Sequence, residues 1–139
     1  MEVNAIENGI VIDHLRAGTG LKVLSYLNVE KRGDMVALIM NAQSNKLGKK
    51  DVIKFDNLFD VDLAALGLID CGATVNYIES GKLAKKVKLN LPDQVTDVIK
   101  CKNPRCVTSV EPEISHVFVL VDSRSEEYRC KYCDEIVRF

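Results

Sequence analysis

Cys101-Lys-Asn-Pro-Arg-Cys106 and Cys130-Lys-Tyr-Cys133 decide how the last third of this chain folds. Each close pair presents two thiolates from one tight turn, and two such turns facing one another supply the four sulfurs of a closed tetrahedral zinc site. Twenty-three residues separate the pairs, enough for a small excursion that returns to the metal. With all four positions taken by sulfur there is no room for a water ligand, so the ion would be structural. Two disulfides are the alternative. Against them, nothing at the N-terminus reads as a secretory signal, and cytosolic thiols stay reduced. The tail after Leu91-Pro92 is near the size at which a hydrophobic core alone no longer suffices, and a metal staple meets that need.

Outward from the cysteines, 139 residues suggest one or two small domains. A hydrophobic content of 47% with 28% charged residues is ordinary for a soluble globular protein. No run of about 18 apolar residues is present to span a membrane. The expectation is a soluble, cytoplasmic protein with no membrane partner. Lys and Arg number 19 against 20 Asp and Glu, a net charge of −1. No overall field therefore draws the chain to nucleic acid or to an anionic bilayer, and any anion site must be local. There is no internal repeat and no low-complexity stretch.

From the N-terminus, Asn8-Gly9-Ile10-Val11-Ile12-Asp13-His14 opens with a turn and continues as a β-branched run, a buried strand ending in two polar residues. Thr19 is placed to cap a helix starting at Gly20, whose Leu21, Val23, Leu24 and Leu27 follow the helical period. Asp34 to Asn41 is a second apolar run, and Asp51 to Asp56 alternates apolar and polar, with Gln43 to Lys50 as a hairpin loop between them. Asp60 is expected to cap a second helix that Gly67 ends or weakens. Ala73 to Ile78 is a fourth strand, Glu79-Ser80-Gly81 a turn, and Lys82 to Leu89 a fifth strand bearing lysines. The order β-α-β-β-α-β with an added strand is the ferredoxin-like α/β plait, a sheet covered on one side by two helices. Its other face or an edge strand is then available to a partner or a second copy.

Pro92, Asp93, Gln94 and Thr96 make a boundary before Val98-Ile99 lead into the first cysteine turn. Ser115 to Val121 and Glu127 to Cys130 read as strands joined by the charged loop Asp122 to Glu126. The fold class is thus α+β: a ferredoxin-like domain over residues 1–92 and a small zinc-stapled β domain over 93–139. Cys71 stands outside the two pairs, at a helix-to-strand junction, and reads as a small semi-buried residue.

Gly9-Ile-Val-Ile-Asp-His14, Gly48-Lys-Lys-Asp-Val-Ile-Lys54, Ala73-Thr-Val-Asn76 and the C-x4-C…C-x2-C tail, taken in order, resemble the regulatory chain of aspartate carbamoyltransferase. The similarity spans nearly the whole chain. It implies a non-catalytic subunit of pyrimidine biosynthesis, with a nucleotide-binding regulatory domain and a zinc domain that contacts the catalytic chain. Nucleoside triphosphates (CTP, UTP, ATP) would be sensed by one domain, and the effect passed to the enzyme through the other. Dimers of such chains would bridge catalytic trimers. The turn Lys102 to Arg105 and the region after Cys133 would grip the enzyme.

A nucleotide sensor needs cations for phosphates, a carboxylate for ribose hydroxyls and groups that read a base edge. Lysines fall largely into two clusters, Lys46, Lys49, Lys50 and Lys54 around the hairpin and Lys82, Lys85, Lys86 and Lys88 on the fifth strand. Composition alone makes most of them solvated residues that discourage edge pairing. The resemblance singles out Lys54 and Lys86 as phosphate and ribose contacts, Asp13 for the ribose and His14 for the phosphates; Lys46 is expected to matter far less. It also places Asn4, Ala5, Ile6, Asn76, Ile78 and Leu83 around the base. Gly81 beside that pocket contributes no side chain.

Other readings compete. One is a nucleic-acid-binding zinc ribbon, but the residues from Val98 onward carry seven basic against seven acidic side chains and few aromatics. Another is an enzyme, for which no nucleophile with a neighbouring base and no open metal site is present. A stand-alone nucleotide sensor acting on some other partner is the closest rival, and co-purification with a larger catalytic chain separates it from the leading reading.

Overall fold

The computed structural model describes residues 3, 5–58 and 60–138. The chain separates into two compact units, residues 1–90 and 91–139.

The first unit runs β1 (Gly9–Arg16), α1 (Thr19–Leu27), α2 (Val29–Arg32), β2 (Val36–Ser44), β3 (Gly48–Asp56), α3 (Leu63–Ile69), β4 (Thr74–Glu79) and β5 (Lys82–Lys88). Its five strands lie in the order β2-β3-β1-β4-β5, every neighbouring pair antiparallel. This is the ferredoxin-like arrangement with β5 added beside β4. The alternation of the strands sends Ile10, Ile12, Ile53, Phe55 and Val75 to one face, where they are fully buried with Val23 of α1 and beside Leu66 of α3. α1 and α3 cover that face, and among the described residues no helix lies on the opposite one.

Local signals find the five strands and helices α1 and α3 of this unit, though not α2, and misassign several ends. Thr19 is not the cap of α1: Gly18 occupies that position in a left-handed conformation, and the Thr19 hydroxyl donates to the Arg16 carbonyl at 2.7 Å. The exposed amides at the helix start are met instead by Asp51 of β3, whose Oδ2 accepts from Gly18 N at 3.0 Å and Gly20 N at 3.1 Å. Asp62, not Asp60, caps α3, its Oδ1 accepting from Ala65 N at 3.1 Å. Gly67 does not end that helix, which continues to Ile69; it lets the Asn90 carbonyl approach, since a Cβ there would lie 2.2 Å from that oxygen. The β2–β3 loop is shorter than Gln43 to Lys50, because pairing extends to Ser44 and Gly48 and leaves Asn45 to Leu47 as the turn.

The second unit holds β6 (Gln94–Thr96), α4 (Val107–Val110), β7 (Val117–Asp122), β8 (Glu127–Cys130) and β9 (Ile136–Arg138), an antiparallel sheet in that strand order. Phe118, Tyr128 and Cys130 are completely buried. Gln94 and Thr96 belong to a short strand rather than a bare linker: they are its exposed residues, while Val95 between them is buried opposite Phe118. The Tyr128 hydroxyl donates to the Pro92 carbonyl at 2.6 Å and fixes the start of this unit to its own core. Strand β9, too short to announce itself, is secured by Arg138 Nε donating to Glu127 Oε1 at 2.8 Å.

Candidate metal centre and anion-binding face

In the second unit, two turns bring the four cysteines together as their spacing predicts. After Cys101 the chain folds back on itself: Cys106 N donates to the Asn103 carbonyl, and Asn103 Oδ1 accepts from Arg105 N at 3.1 Å. The second turn follows β8, with Asp134 N donating to the Cys130 carbonyl and Cys130 N to the Glu135 carbonyl. His116 Nδ1 accepts from Cys101 N at 3.0 Å and anchors the first turn to the edge of β7.

Sγ of Cys101 lies 3.6 Å from that of Cys133, Sγ of Cys106 lies 3.7 Å from that of Cys130, and all four sulfurs fall within 4.8 Å of one another. A tetrahedron with metal–sulfur bonds of about 2.3 Å has edges of about 3.8 Å, so the sulfurs stand where a four-coordinate ion needs them. They are too far apart for disulfides, in which sulfurs are about 2.05 Å apart. Three of the four cysteines are buried. Burial pushes the Cys101 thiol up to about 12 and raises that of Cys130, whereas the Thr108 hydroxyl donating to Sγ at 3.0 Å draws Cys106 down to about 6. Four crowded cysteines have little reason to share a buried point; a divalent cation supplies one. Such an ion, filled by four thiolates, would cross-link the sheet and leave no position for catalysis.

The first unit carries its polar groups on the helix-free face. Lys54 on β3 sits opposite Val11 on β1, Val11 opposite Asn76 on β4, and Asn76 opposite Lys86 on β5. Residues directly paired across antiparallel strands point to the same side. Lys54, Asn76 and Lys86 therefore lie in one row, over three strand spacings or about 14 Å. The same alternation adds Asp13, Lys50, Thr74 and Lys88 to this face.

At one end of the row, β1 bulges between Ile12 and Leu15, and His14 adopts a left-handed backbone with φ of 60°. The bulge turns its ring toward β4, where Nδ1 is 3.0 Å from Thr74 Oγ1. His14, Thr74, Lys86, Lys88 and Asn90 line a cleft of about 340 Å³, with Lys46 reaching in from the β2–β3 hairpin. Asp13 lies beside it, held by Lys50 Nζ at 2.9 Å and by the His14 amide at 2.6 Å. Partial burial raises the Asp13 carboxyl, but the Lys50 ammonium and the amide outweigh it, and the net displacement is downward.

At the other end, Ala5, Ile6 and Lys54 line a second cleft of about 390 Å³ with Glu7, Ala37 and Asp56. Gly81 N donates to the Glu7 carbonyl and Ser80 N to Asn8 Oδ1, which ties the first segment to the β4–β5 turn. Ile78 and Leu83 face one another across that hairpin, Leu83 being 57% exposed. Asn4 lies outside the described residues. Of the expected residues, His14 and Lys86 line the first cleft and Ala5, Ile6 and Lys54 the second; Asn76 stands between Lys54 and Lys86 in the row, and Asp13, Ile78 and Leu83 line neither cleft. Asn76 Oδ1 is buried with no hydrogen-bond partner, an acceptor left over in the middle of the row.

Lys46, Thr74 and Lys88 line the first cleft but are not among the residues that the resemblance assigns to the nucleotide. Lys88 is two residues from Lys86 on one strand, so its sharing of that face was legible. Thr74 is set by its pairing with Asp13 and has no local signature. Lys46 is exposed at a hairpin tip and becomes a lining residue only once the hairpin is placed.

An α/β plait with a cationic open face, joined to a small sheet that gathers four thiolates, defines a two-domain metal-binding protein. Comparison with known proteins narrows this. Residues 1–90 match the family described as the aspartate carbamoyltransferase regulatory chain, allosteric domain, and residues 93–139 match the metal binding domain of the same chain. Curated regulatory chains of aspartate carbamoyltransferase are similar along almost their entire length. That of Clostridium botulinum strain Hall is 54% identical over 136 residues, covering 98% of this chain and 93% of the relative. That of Clostridium tetani is 52% identical over 139 residues, covering 99% and 96%. The Bifidobacterium longum protein is 51% identical over 135 residues, covering 97% of each. The chain belongs to the family of aspartate carbamoyltransferase regulatory chains, which are non-catalytic subunits.

Proposed function

We propose that this chain is an allosteric transmitter that binds nucleoside triphosphates on the open face of its first domain and holds the aspartate carbamoyltransferase catalytic chain through its second. The observation that carries the reading is the row Lys54, Asn76 and Lys86, which ends at a cleft shared by His14 and Lys86. A row of this length, with Lys86 and His14 at one end and Lys54 beside Ala5 and Ile6 at the other, suits an elongated ligand with an anionic tail. His14 and Lys86 take the phosphates, Lys54 and Asp13 the ribose, and Asn76, Ala5, Ile6, Ile78 and Leu83 surround the base. Asp13, already neutralised by Lys50, accepts from hydroxyls without repelling the phosphates.

The ion in the four-cysteine site is zinc, which soft thiolates in tetrahedral array favour. It shapes the turn Lys102 to Arg105, and that turn with the residues after Cys133 contacts the enzyme. Dimers of the chain bridge catalytic trimers in the cytoplasm, and effector binding biases a two-state equilibrium of the whole assembly. Coupling of this kind is reciprocal and typically worth about 1–3 kcal/mol. Neither nucleic acid nor membrane enters the scheme.

Calorimetric titration of the metal-loaded chain with CTP, UTP and ATP, alongside activity assays of the catalytic partner with and without it, tests both halves. Saturable binding together with nucleotide-dependent activity seen only in the assembly is expected. A catalytic partner equally responsive to nucleotides without this chain would overturn the transmitter reading.

A further inference from the structure

We propose that Lys46 is a phosphate-binding residue: carried on the tip of the β2–β3 hairpin, it meets the far end of a polyphosphate tail and makes the cleft favour triphosphates over monophosphates. The inference rests on the nucleotide reading above, and it departs from the expectation, drawn from the sequence, that Lys46 matters far less, because the hairpin tip brings Lys46 to the cleft. Lys46 lines the cleft that contains His14, Thr74, Lys86 and Lys88, and it also lines a neighbouring opening of about 420 Å³ that again includes His14. It is thus the wall opposite the sheet. The backbone of the hairpin tip that carries it is held in place. Ser44 Oγ accepts from Leu47 N at 3.1 Å across the tip, and Gly48 takes the left-handed conformation, φ of 77°, that returns the chain into β3.

Lys86, Lys88 and His14 project from the sheet itself and meet the phosphate nearest the ribose. A phosphoryl group added beyond it moves away from the sheet and toward the hairpin, where Lys46 brings the next cation. Lys50, the other lysine at that opening, is already committed to Asp13 at 2.9 Å. Lys49, next to it in sequence, is exposed and lines neither cleft, so it carries the same charge without the same placement.

The test is calorimetric titration of the full metal-loaded chain with CTP and with CMP. Lys46→Ala is expected to weaken CTP roughly three- to tenfold, the range for a single partly solvated charge-assisted contact, and CMP less than twofold. Lys46→Arg should restore CTP binding, and Lys49→Ala should leave both nucleotides unchanged. Equal CTP affinity for wild type and Lys46→Ala, with Lys86→Ala still weakened, overturns the assignment of Lys46 while the nucleotide site stands. Equal losses in Lys46→Ala and Lys49→Ala overturn it as well, since a general field would explain them. Absence of CTP binding by the wild type removes the nucleotide reading and this one with it.

Discussion

The carboxylate of Asp13 and the ammonium of Lys50 lie 2.9 Å apart on the open face of the sheet, each only about one-fifth exposed. They come from neighbouring strands, and the β1 bulge aims the His14 amide at the same carboxylate. The Asp13 carboxyl is consequently displaced downward. Because the folded value is below that of the unfolded chain, about 3.9, the pair stabilises fully above that pH, and its contribution is lost as pH falls through the folded value. Lys50→Met is expected to move the Asp13 titration upward, as NMR of the carboxyl carbon would show. An unmoved titration would mean that the His14 amide alone holds it.

Lys86→Ala and Lys54→Ala should each weaken nucleoside triphosphates, a charge-assisted contact being worth up to about 1.5–3 kcal/mol and less where solvent reaches it. Because Lys86 lines the His14 cleft proposed for the phosphates and Lys54 the other, their losses should differ with the ligand. Cytidine without phosphate should be indifferent to Lys86→Ala yet still sense Lys54→Ala. Titration of both variants with CTP and cytidine measures this, and an identical pattern for the two lysines would contradict the division into two clefts.

Asp51 is completely buried and accepts from three amides, Gly18, Gly20 and Asn41. Asp51→Ala would take the acceptor from all three amides and leave that of Gly20 buried without a partner, and a loss of about 3 kcal/mol is expected in denaturant unfolding of the first domain. Asp51→Asn, which keeps one carbonyl oxygen in place, should lose less. A near-neutral Asp51→Ala would show that water reaches those amides.

Removal of the metal by a chelator, or Cys130→Ser, should unfold the second domain and leave the first intact, because structural metal binding is folding free energy for a module of this size. Cys130 ends β8 and is completely buried, so its loss strikes sheet and metal together. Circular dichroism would then retain the helical signal of α1 and α3. Elemental analysis of native, reductant-treated protein should find one zinc per chain; none would remove the metal.

The legibility of this chain in its sequence follows the range of the interactions. The plait was readable because β-branched alternation and helical periodicity are local, and the metal centre because four cysteines at knuckle spacing have few other uses. Element ends were not, since their partners are remote: the start of α1 is satisfied by Asp51, 31 residues away from Gly20, so a hydroxyl at position 19 misled. Strands β6 and β9 have three residues each, too few to display a period. On the open face, Lys54 and Lys86 are singled out by the family resemblance and not by residue type, whereas Lys46 and Thr74 depend on register and on where a hairpin tip comes to rest.

Gly67 has a consequence for which substitutions this protein can tolerate. Its own backbone is ordinary helix, and a helix gains by exchanging an interior glycine for alanine, by about 1 kcal/mol. A search for stabilising changes guided by helix propensity would therefore begin there. The Asn90 carbonyl, 2.2 Å from the would-be Cβ, turns that gain into a loss: even the smallest side chain must displace the backbone just after β5, next to the Leu89 amide that pairs with the Ala73 carbonyl. In a library randomised at position 67, glycine alone should survive selection for a folded first domain.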